Sequence, residues 1–417
     1  MAEQSETGER VIAPVPRITI QAFCESSETA AMIEAAAEDR RMQRARVKVS
    51  MGGGAAAIEA FRHAPTPNVI VLEVQNVRSK PLECLDALAE VCDEGTRVLV
   101  IGHLNDVTLY RQLLHRGVSD YLMAPVEPLA LIAAISEMFA ASGTKPIGRT
   151  IAVYGVRGGI GASTVAHNLA WSVARGQGVP TVIADLDIAF GTASLNFNQD
   201  PPQGIAEAVF APERLDAALV ERLLSKCSDN LSLLSAPASL DRTIDLSQAA
   251  FDGLIEHLRS SVPCLVLDVP HQWNAWTKHV LSAADEILIV SGPDLACLRN
   301  AKNLLGALKH GRPNDAAPKV LLNGTGVPKR PEIGAAEFAK ALDAPIAVTI
   351  PFDPSLFGTA ANNGQMIAEV QPGSKVAELF NDLAAAALGR PEVRRKGGAG
   401  SLLEPLLAKL AARRKAS

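Results

Sequence analysis

Short apolar runs alternate with helical patterns along most of the chain. Between Arg17 and about Ala141, five apolar runs are each followed by a segment with apolar residues at helical spacing; the runs are "RITIQAF", "RVKVSM", "NVIVLEV", "RVLVIGH" and "DYLMAP". Short runs that alternate with helical segments are typical of parallel strands joined by crossover helices. The pattern predicts a parallel sheet covered on both faces.

A second alternating unit begins near Thr150 and runs to about Leu388, after the polar linker "ASGTKPIGR". Its seven strand candidates are "TIAVYGV", "TVIADLD", "LSLLSA", "CLVLDVP", "EILIVSG", "VLLNG" and "IAVTIPF". The chain is therefore expected to be α/β, with two doubly wound parallel-sheet domains. The expected division is a flexible tail at 1–16, a first domain at 17–141, a linker at 142–149, a second domain at 150–388, and a basic linker with an amphipathic helix at 389–417.

Composition narrows the class of protein. The 417 residues suggest two or three domains, and a net charge of -5 argues against a general nucleic-acid binder, which needs many Lys and Arg contacts. The six cysteines are scattered without metal-ligand spacing and predict buried thiols in a reducing compartment. The first residues lack a signal-peptide profile, and no apolar run approaches the roughly 20 residues that cross a bilayer. These features predict a cytoplasmic protein.

The stretch "VYGVRGGIGASTVAHNLAW" reads as a buried strand, a glycine-rich turn and a helix. Such a turn aims several backbone N–H groups at one anion, and the helix N-terminus adds to the attraction. Gly158, Gly159 and Gly161 carry no side chain that would hold a phosphate away, and Ser163 or Thr164 could offer a hydroxyl to Mg²⁺. Because strand-to-helix turns also use glycine for steric reasons, the turn alone is weak evidence.

Three aspartates strengthen the prediction of a phosphate site. Asp185 and Asp187 end one buried strand candidate, and Asp268 ends another. The carboxyl ends of parallel strands are where doubly wound sheets bind ligands. There Asp187 could orient a water molecule and Asp268 could fix hydrated Mg²⁺. The alternative for each aspartate alone is a helix N-cap or a turn residue.

The spacing of "RGGIGAST", "DLDIAFG", "LVLDVP" and "LLNG" resembles the ParA/MinD class of deviant Walker A ATPases, whose loop reads KGGxGK[ST]. Within that class, the GAST variant followed by "VAHNLAW" is similar to the CpaE/TadZ proteins of Flp (Tad) pilus assembly. The resemblance covers Arg17 to Leu388, because that family carries a receiver-like domain of flavodoxin type ahead of the ATPase-like one.

The resemblance implies roles for single residues. Arg157 matches the signature lysine that reaches across a dimer, Ser163 the magnesium hydroxyl and Asp268 the Walker B aspartate. Asn323 matches the asparagine that reads adenine, although Gly324 replaces the usual arginine after it. The residues thereby assigned to ATP are Arg157, Gly158, Gly159, Ile160, Gly161, Ala162, Ser163, Thr164, Asp268 and Asn323, with Ser163 and Asp268 for Mg²⁺ and Asp187 as the catalytic switch I aspartate.

The loop carries Ala162 where the family has a lysine that neutralises the β- and γ-phosphates. Such an interaction can be worth several kcal/mol in a dry site, so its loss should slow hydrolysis severely. Binding does not depend on that side chain alone, because the loop amides and Mg²⁺ remain. We therefore expect a nucleotide-gated dimerisation module with weak or absent turnover.

The first domain resembles a receiver that has lost its phosphoryl chemistry. Where receivers carry an acidic pair, this chain has Cys24 and Glu25, and Gly102 and Ala124 replace the hydroxyl residue and the lysine. Glu73 stands at the place of the phosphorylated aspartate. It is either a residue retained at a solvated strand end or a permanent mimic of the aspartyl phosphate. We expect no phosphorylation and a role in docking or targeting.

The C-terminal segment "SLLEPLLAKLAARRKAS" places Leu402, Leu406 and Leu410 on one helical stripe and ends in basic residues. Three alternatives fit: residues 401–417 lie on an anionic membrane surface, fill a groove on a partner, or pack back on the second domain.

The leading hypothesis is a Flp/Tad pilus assembly and localisation factor. As a nucleotide-dependent homodimer it would recruit the pilus secretion ATPase and the inner-membrane platform, in the cytoplasm, on the inner face of the membrane or at a cell pole, with no specific nucleic acid as partner. One alternative is an active ParA/MinD-type partitioning or positioning ATPase. The other is a response regulator-like signalling protein.

Overall fold

The computed structural model describes residues 11–75, 81–140, 147–237, 240 and 245–390. The backbone there forms two α/β units, one around a five-stranded sheet and one around an eight-stranded sheet. The prediction of two doubly wound sheets is confirmed. Among the described residues, no helix combines the length and the apolar character that crossing a bilayer requires.

The first unit alternates strands and helices. Its elements are β1 Thr19–Cys24, α1 Ser27–Ala37, β2 Arg46–Met51, α2 Gly53–Phe61, β3 Val69–Val74, α3 Pro81–Ala89, β4 Arg97–Gly102, α4 Val107–His115, β5 Asp120–Met123 and α5 Pro128–Phe139, with a 3₁₀ turn at Arg40–Met42. The strands are parallel in the order β2-β1-β3-β4-β5. This is the flavodoxin-type order, whose ligand crevice lies where the order reverses between β1 and β3.

Each sheet separates two apolar layers. In β3, Val69 and Val71 join one layer of the first unit, while Ile70 and Leu72 join the other. Successive strand residues point to opposite faces, so a strand covered by helices on both sides must be apolar throughout. That is why an unbroken apolar run such as "NVIVLEV" identified a strand.

The expectation of a flexible tail over residues 1–16 needs correction where the structure describes it, from residue 11. Val15 is fully buried in the first unit, and its N–H donates to the carbonyl of Arg41 at 2.8 Å. Ile12 packs against the same apolar layer. Two apolar side chains thus anchor this segment on the first unit.

The second unit contains the larger sheet. Its strands are β6 Arg149–Gly155, β7 Thr181–Asp185, β8 Ser225–Ser228, β9 Leu231–Leu234, β10 Cys264–Val269, β11 Glu286–Ser291, β12 Lys319–Thr325 and β13 Ile346–Pro351. Its helices are α6 Ala162–Trp171, α7 Ala193–Asn196, α8 Ile205–Phe210, α9 Ala217–Leu223, α10 Asp252–Ser261, α11 Ala275–Ala283, α12 Leu295–Gly311, α13 Ala335–Leu342, α14 Pro354–Asn363, α15 Ile367–Val370 and α16 Lys375–Ala387, with a π-helical turn at Ser172–Gly176 and a 3₁₀ turn at Pro212–Arg214.

The strand order of the second unit is β13-β12-β11-β6-β10-β7-β9-β8, parallel except for β8, which pairs antiparallel with β9. All seven expected strands are present. β8 was missed because "SKCS" contains no apolar run. The central strands β6, β7, β10 and β11 are buried along their whole length, which fits a sheet covered on both faces. The helix expected at 401–417 lies outside the described residues.

The two units meet at the amino edges of their sheets. The 3₁₀ turn after α1 precedes β2, and it contacts the segment just before β11, where Asp285 lies. Arg40 donates to Asp315 at 2.9 Å, to Asp285 at 3.2 Å and to the carbonyl of Ala283 at 2.6 Å. The carboxyl edges of the two sheets therefore point away from this joint.

The joint is a buried network of opposite charges. Asp315 pairs with Arg40, Arg41 and Arg312, and these four side chains are at most 8% exposed. Burial would raise the pKa of Asp315, but hydrogen bonds and charge from the three guanidinium groups hold it below its usual value. Breaking one partner of a buried ion network is costly because it leaves the others uncompensated.

Asp315→Asn should lower the free energy of unfolding by about 3 kcal/mol, since three buried guanidinium groups lose their shared carboxylate. Urea unfolding of the full chain measures this. The matched control is Glu256→Gln, which breaks the exposed pair with Arg44 across the same joint and should cost less than about 1 kcal/mol. Equal losses in the two variants would contradict a network that depends on burial.

Candidate functional site

A tight glycine turn joins β6 to α6. Gly159 and Gly161 have φ angles of 72° and 92°, in the left-handed region that favours glycine. A Cβ on Gly161 would also lie 2.4 Å from Nδ2 of Asn323. Both backbone conformation and space therefore require glycine at position 161.

The turn leaves a helix N-terminus open to solvent. Gly161 is the N-cap of α6 and supplies no side-chain cap, so the N–H groups of Ala162 and Ser163 are not satisfied in that way. Gly158, Gly159 and the first-turn residue Thr164 are exposed. Uncapped amides at a helix N-terminus form an anion-binding position.

The neighbouring strands bring two carboxylates side by side. In the parallel ladder, Asp268 of β10 is the register partner of Asp185 of β7 and of Val153 of β6. Asp185 is 1% exposed and Asp268 is 4% exposed. The turn after β6 and both carboxylates therefore share one carboxyl edge.

Burial and a like charge act together on Asp185. Burial, followed by the charge of Asp268, raises the pKa of Asp185 to about 7, while His167 and the N–H groups of Ala193 and Asp187 act in the opposite direction. Two carboxylates held this close favour a cation beside them.

Asp185 also organises the turn that carries Asp187. Its carboxylate accepts hydrogen bonds from the N–H groups of Asp187 and Ala193, each at 3.1 Å. The carboxylate of Asp187 in turn accepts from the N–H of Phe190 at 3.0 Å. The predicted catalytic residue thus lies at the same edge, with one carboxylate oxygen closing its own turn.

Arg157 extends from the glycine turn and is held by an aspartate of the same chain. Its Nη1 donates to Oδ2 of Asp294 at 2.9 Å, and both side chains are partly exposed. Asp294 is the N-cap of α12 and accepts from the N–H of Cys297. Burial would raise the pKa of Asp294, but the Cys297 and Arg157 contacts lower it.

Asn323 lies near the carboxyl end of β12 and reaches back to the glycine turn. Its Nδ2 donates to the carbonyl of Ile160 at 2.8 Å. The structure therefore places this side chain against the loop backbone, where it fixes the turn before Gly161. Reading of adenine by Asn323 stays a prediction.

Three residues of the site, His167, Asp294 and Asn300, were not predicted from the sequence. His167 lies one helical turn after Ser163, and that spacing was the available signal. Asp294 and Asn300 follow β11, and Asn300 donates to the carbonyl of Val156 at 3.0 Å. Their role depends on β11 lying beside β6, which strand patterns do not reveal.

At the carboxyl edge of the first sheet, the carboxylate of Glu73 is buried and hydrogen-bonded within the protein. Glu73 is 1% exposed, so the interpretation as a residue at a solvated strand end is wrong. One oxygen accepts from the N–H groups of Glu25 and Ser26 at 2.7 and 2.8 Å, and the other from the hydroxyls of Ser26 and Thr29. Nε2 of His103 lies 3.1 Å from the same carboxylate.

These contacts decide the charge of Glu73. Burial would raise its pKa, but hydrogen bonds from Ser26, Thr29 and the N–H of Glu25 lower it to about 2. The Glu73 side chain is one methylene longer than the aspartate that receivers phosphorylate. The extra length lets the carboxylate reach the N-terminus of α1, where a permanent negative charge is stabilised.

The last residue of β4, Gly102, leaves no room for a side chain. A Cβ there would lie 2.2 Å from the hydroxyl oxygen of Tyr121, which donates to the carbonyl of Leu104 at 2.8 Å. The ring of Tyr121 thus occupies the place beside β4, and a hydroxyl residue at position 102 does not fit. The expected loss of phosphoryl chemistry agrees with this geometry.

Comparisons with known proteins give one matching family model and two groups of similar proteins. Residues 148–314 match the family model of the AAA domain. MinD of Synechocystis sp., a septum site-determining protein, is 32% identical over 166 residues, which span 39% of this chain and 59% of that relative's length. A solved structure of MinD from Pyrococcus horikoshii, complexed with Mg-ADP, is 21% identical, with a TM-score of 0.51 over 61% of this chain and all of the solved chain.

The pilus assembly protein CpaE from Caulobacter crescentus is 48% identical to this chain. That match covers 31% of this chain and 98% of the solved one, with a TM-score of 0.30. The glycine turn, the parallel order around β6 and the paired aspartates define a P-loop NTPase fold of the MinD type. Because 48% identity extends over nearly the whole solved CpaE chain, this protein belongs to the CpaE family of pilus assembly proteins.

Glu73→Gln should destabilise the protein by about 2 kcal/mol at pH 7, because charge-assisted hydrogen bonds are lost from a buried site. The folded pKa lies below the ordinary value of 4.5, so this stabilisation is complete above about pH 4.5 and disappears as pH falls towards 2. Urea unfolding should show the gap between wild type and variant narrowing below pH 4.5.

The matched control is Glu25→Gln, because Glu25 is an exposed carboxylate beside the same crevice. It should change stability by less than about 0.5 kcal/mol. A gap between Glu73→Gln and wild type that stays constant down to pH 3 would contradict the role given to the Glu73 charge.

Proposed function

We propose that this protein is a Flp/Tad pilus assembly and localisation factor, a nucleotide-dependent dimerising hub with weak or absent ATP hydrolysis. The observation that carries the proposal is the uncapped N-terminus of α6, beside Asp268, with alanine at the lysine position of the loop. Membership of the CpaE family supports the part in pilus assembly.

The residues at the carboxyl edge fit ATP and Mg²⁺. Apart from its chain neighbours, no protein atom lies within 4 Å of the place where a Cβ on Gly159 would be, so the loop leaves space for phosphate oxygens. The amides of Gly158 to Thr164 would bind the phosphates, and Ser163 with Asp268 would hold hydrated Mg²⁺. The bound Mg²⁺ would supply the positive charge that the loop side chain lacks.

Slow turnover follows from two features of the site. Ala162 provides no cation for the β- and γ-phosphates, and a single such interaction is often worth 10² to 10³ in rate, on the order of 3 kcal/mol. One oxygen of Asp187 already accepts from the N–H of Phe190. Orientation of a water molecule by Asp187 therefore depends on its other oxygen or on a movement of this turn.

Exposed apolar side chains surround the proposed site and support a homodimer. Phe190 after β7, Trp273 after β10 and Leu295 after β11 are 72%, 52% and 73% exposed. They lie at the same carboxyl edge as Arg157. Large exposed apolar residues grouped around a polar centre are typical of protein interfaces. A second copy of the chain would cover them and receive Arg157.

The recruited partners in this proposal are the pilus secretion ATPase and the inner-membrane platform. The first unit, in which the buried Glu73 replaces the phosphorylated aspartate of receivers, would direct the dimer to its place in the cell. Contact of residues 401–417 with the membrane is part of the proposal, as is the position on the inner face of the membrane or at a pole. Pulldown from cell extract should recover secretion-machine components, and their absence would contradict this part.

Calorimetry with Mg-ATP should give saturable binding to the wild-type chain, with phosphate release at least about tenfold slower than in Ala162→Lys. Ala162→Met is the matched control, because it adds length without charge and should leave turnover unchanged. Wild-type turnover equal to that of Ala162→Lys would overturn the proposed loss of hydrolysis. No binding of adenine nucleotide by the wild type would overturn the nucleotide switch.

Asp294→Asn should increase the fraction of dimer in the presence of Mg-ATP. Asparagine retains the N-cap of α12 but gives up the charge that holds Arg157 within its own chain. Sedimentation of the full chain with and without nucleotide measures the effect. Arg157→Gln is the counterpart and should reduce the dimer, whereas an unchanged monomer–dimer equilibrium in both variants would exclude a part for Arg157.

A further inference from the structure

His167 is a buried histidine beneath the glycine turn, and the proposed function gives it no task. It is 1% exposed, and its Nε2 has no hydrogen-bond partner. Oδ2 of Asp268 lies 3.4 Å from this Nε2, within ion-pair range but not aligned as a hydrogen bond. A buried polar atom left unsatisfied costs about 1–3 kcal/mol, so the position calls for a compensating role.

The helix α6 connects His167 to the phosphate end of the site. Ser163 lies in its first turn and His167 follows four residues later, so the two side chains lie on one face of the helix. The helix packs against β10, and His167 lies beside Asp268, the penultimate residue of that strand. The same helix therefore carries the Ser163 hydroxyl, which is proposed to bind Mg²⁺, and the His167 imidazole, which lies beside the other proposed Mg²⁺ ligand, Asp268.

A second contact joins His167 to the Asp187 turn. The rings of His167 and Phe197 lie 5.4 Å apart at an angle of 57°. Phe197 follows α7, whose first residue, Ala193, donates its N–H to the buried Asp185. His167 thus contacts both the strand that carries Asp268 and the segment that leads out of the Asp187 turn.

We propose that His167 is a positioning residue for the magnesium–nucleotide site: when Mg-nucleotide binds, its Nε2–H aligns with the neighbouring Asp268 carboxylate, fixes the orientation of that carboxylate and ties it to the segment around Asp187. The inference rests on the proposed nucleotide binding. Without a lysine at position 162, the phosphates depend more on Mg²⁺, and Mg²⁺ demands a well-oriented carboxylate. Residues that orient a metal ligand commonly change metal affinity 10- to 100-fold when they are replaced.

The test uses the full chain with ATPγS, a slowly hydrolysed ATP analogue, and calorimetry in Mg²⁺ and in EDTA. His167→Leu removes the donor and retains apolar bulk, and it should weaken binding in Mg²⁺ about tenfold or more while leaving binding in EDTA within about twofold. His167→Gln places an N–H near the position of Nε2 and should restore most of the affinity. The matched control is His279→Leu. His279 lies on α11 and pairs with Asp252 of α10, and this variant should bind ATPγS as the wild type does.

Thermal unfolding identifies variants that fail to fold. His167→Asn, whose shorter amide does not reach Asp268, repeats the test with a polar side chain and should behave like His167→Leu. In a double-mutant cycle, adding His167→Leu to Asp268→Asn should cause no further loss, because the histidine acts through that carboxylate. Additive losses, or unchanged Mg²⁺-dependent binding in the Leu and Asn variants, would reduce His167 to a packing role.

The wild-type arm separates the two levels of the inference. If the wild type binds ATPγS in Mg²⁺ and the His167 variants bind equally well, only the positioning role fails. If the wild type binds no ATPγS in either condition, the proposed nucleotide function fails, and the positioning role fails with it.

Discussion

The register between β7 and β10 is the constraint on which the site depends. It sets the buried carboxylates of Asp185 and Asp268 beside each other at one strand edge, where burial and the charge of Asp268 both raise the pKa of Asp185. Several groups offset this effect. The N–H groups of Asp187 and Ala193 stabilise Asp185, and His167 lies beside Asp268. The conformation of the Asp187 turn and the histidine on α6 are both explained by the need to stabilise this pair of carboxylates.

The strands were readable from the sequence because both sheets are buried on two faces. Apolar runs such as "NVIVLEV" and "CLVLDVP" are typical of buried strands in an α/β chain, and all the expected strands form. β8 could not be predicted, because it is a short polar edge strand whose pairing depends on β9 rather than on its own side chains. Residues 11–16 were misjudged for a related reason, since two apolar residues among polar ones carry little pattern but enough area to anchor a segment.

The site was predictable in its parts but not in its connections. Glycine spacing and strand-end aspartates pointed to the P-loop edge, because those features are local in sequence. The contacts of Asn323 with Ile160, and of Arg157 with Asp294, each span more than 130 residues and require the folded sheet. Glu73 shows the same limit: its sequence position suggested a solvated carboxylate, while its burial comes from Thr29 and His103 on other elements.

The charged joint between the amino edges of the two sheets has a geometric consequence. Since Arg40 and Asp315 join the two units at the amino edges of their sheets, the P-loop edge and the Glu73 edge each lie at the end of a unit that is away from the joint. Two chains that met P-loop to P-loop would carry their first units at the two far ends of an elongated particle. Such a particle is bivalent, and a bivalent ligand binds an array of sites far more tightly than a single unit does. Pairing of the second units would then control avidity at the first, without any change of shape within either unit.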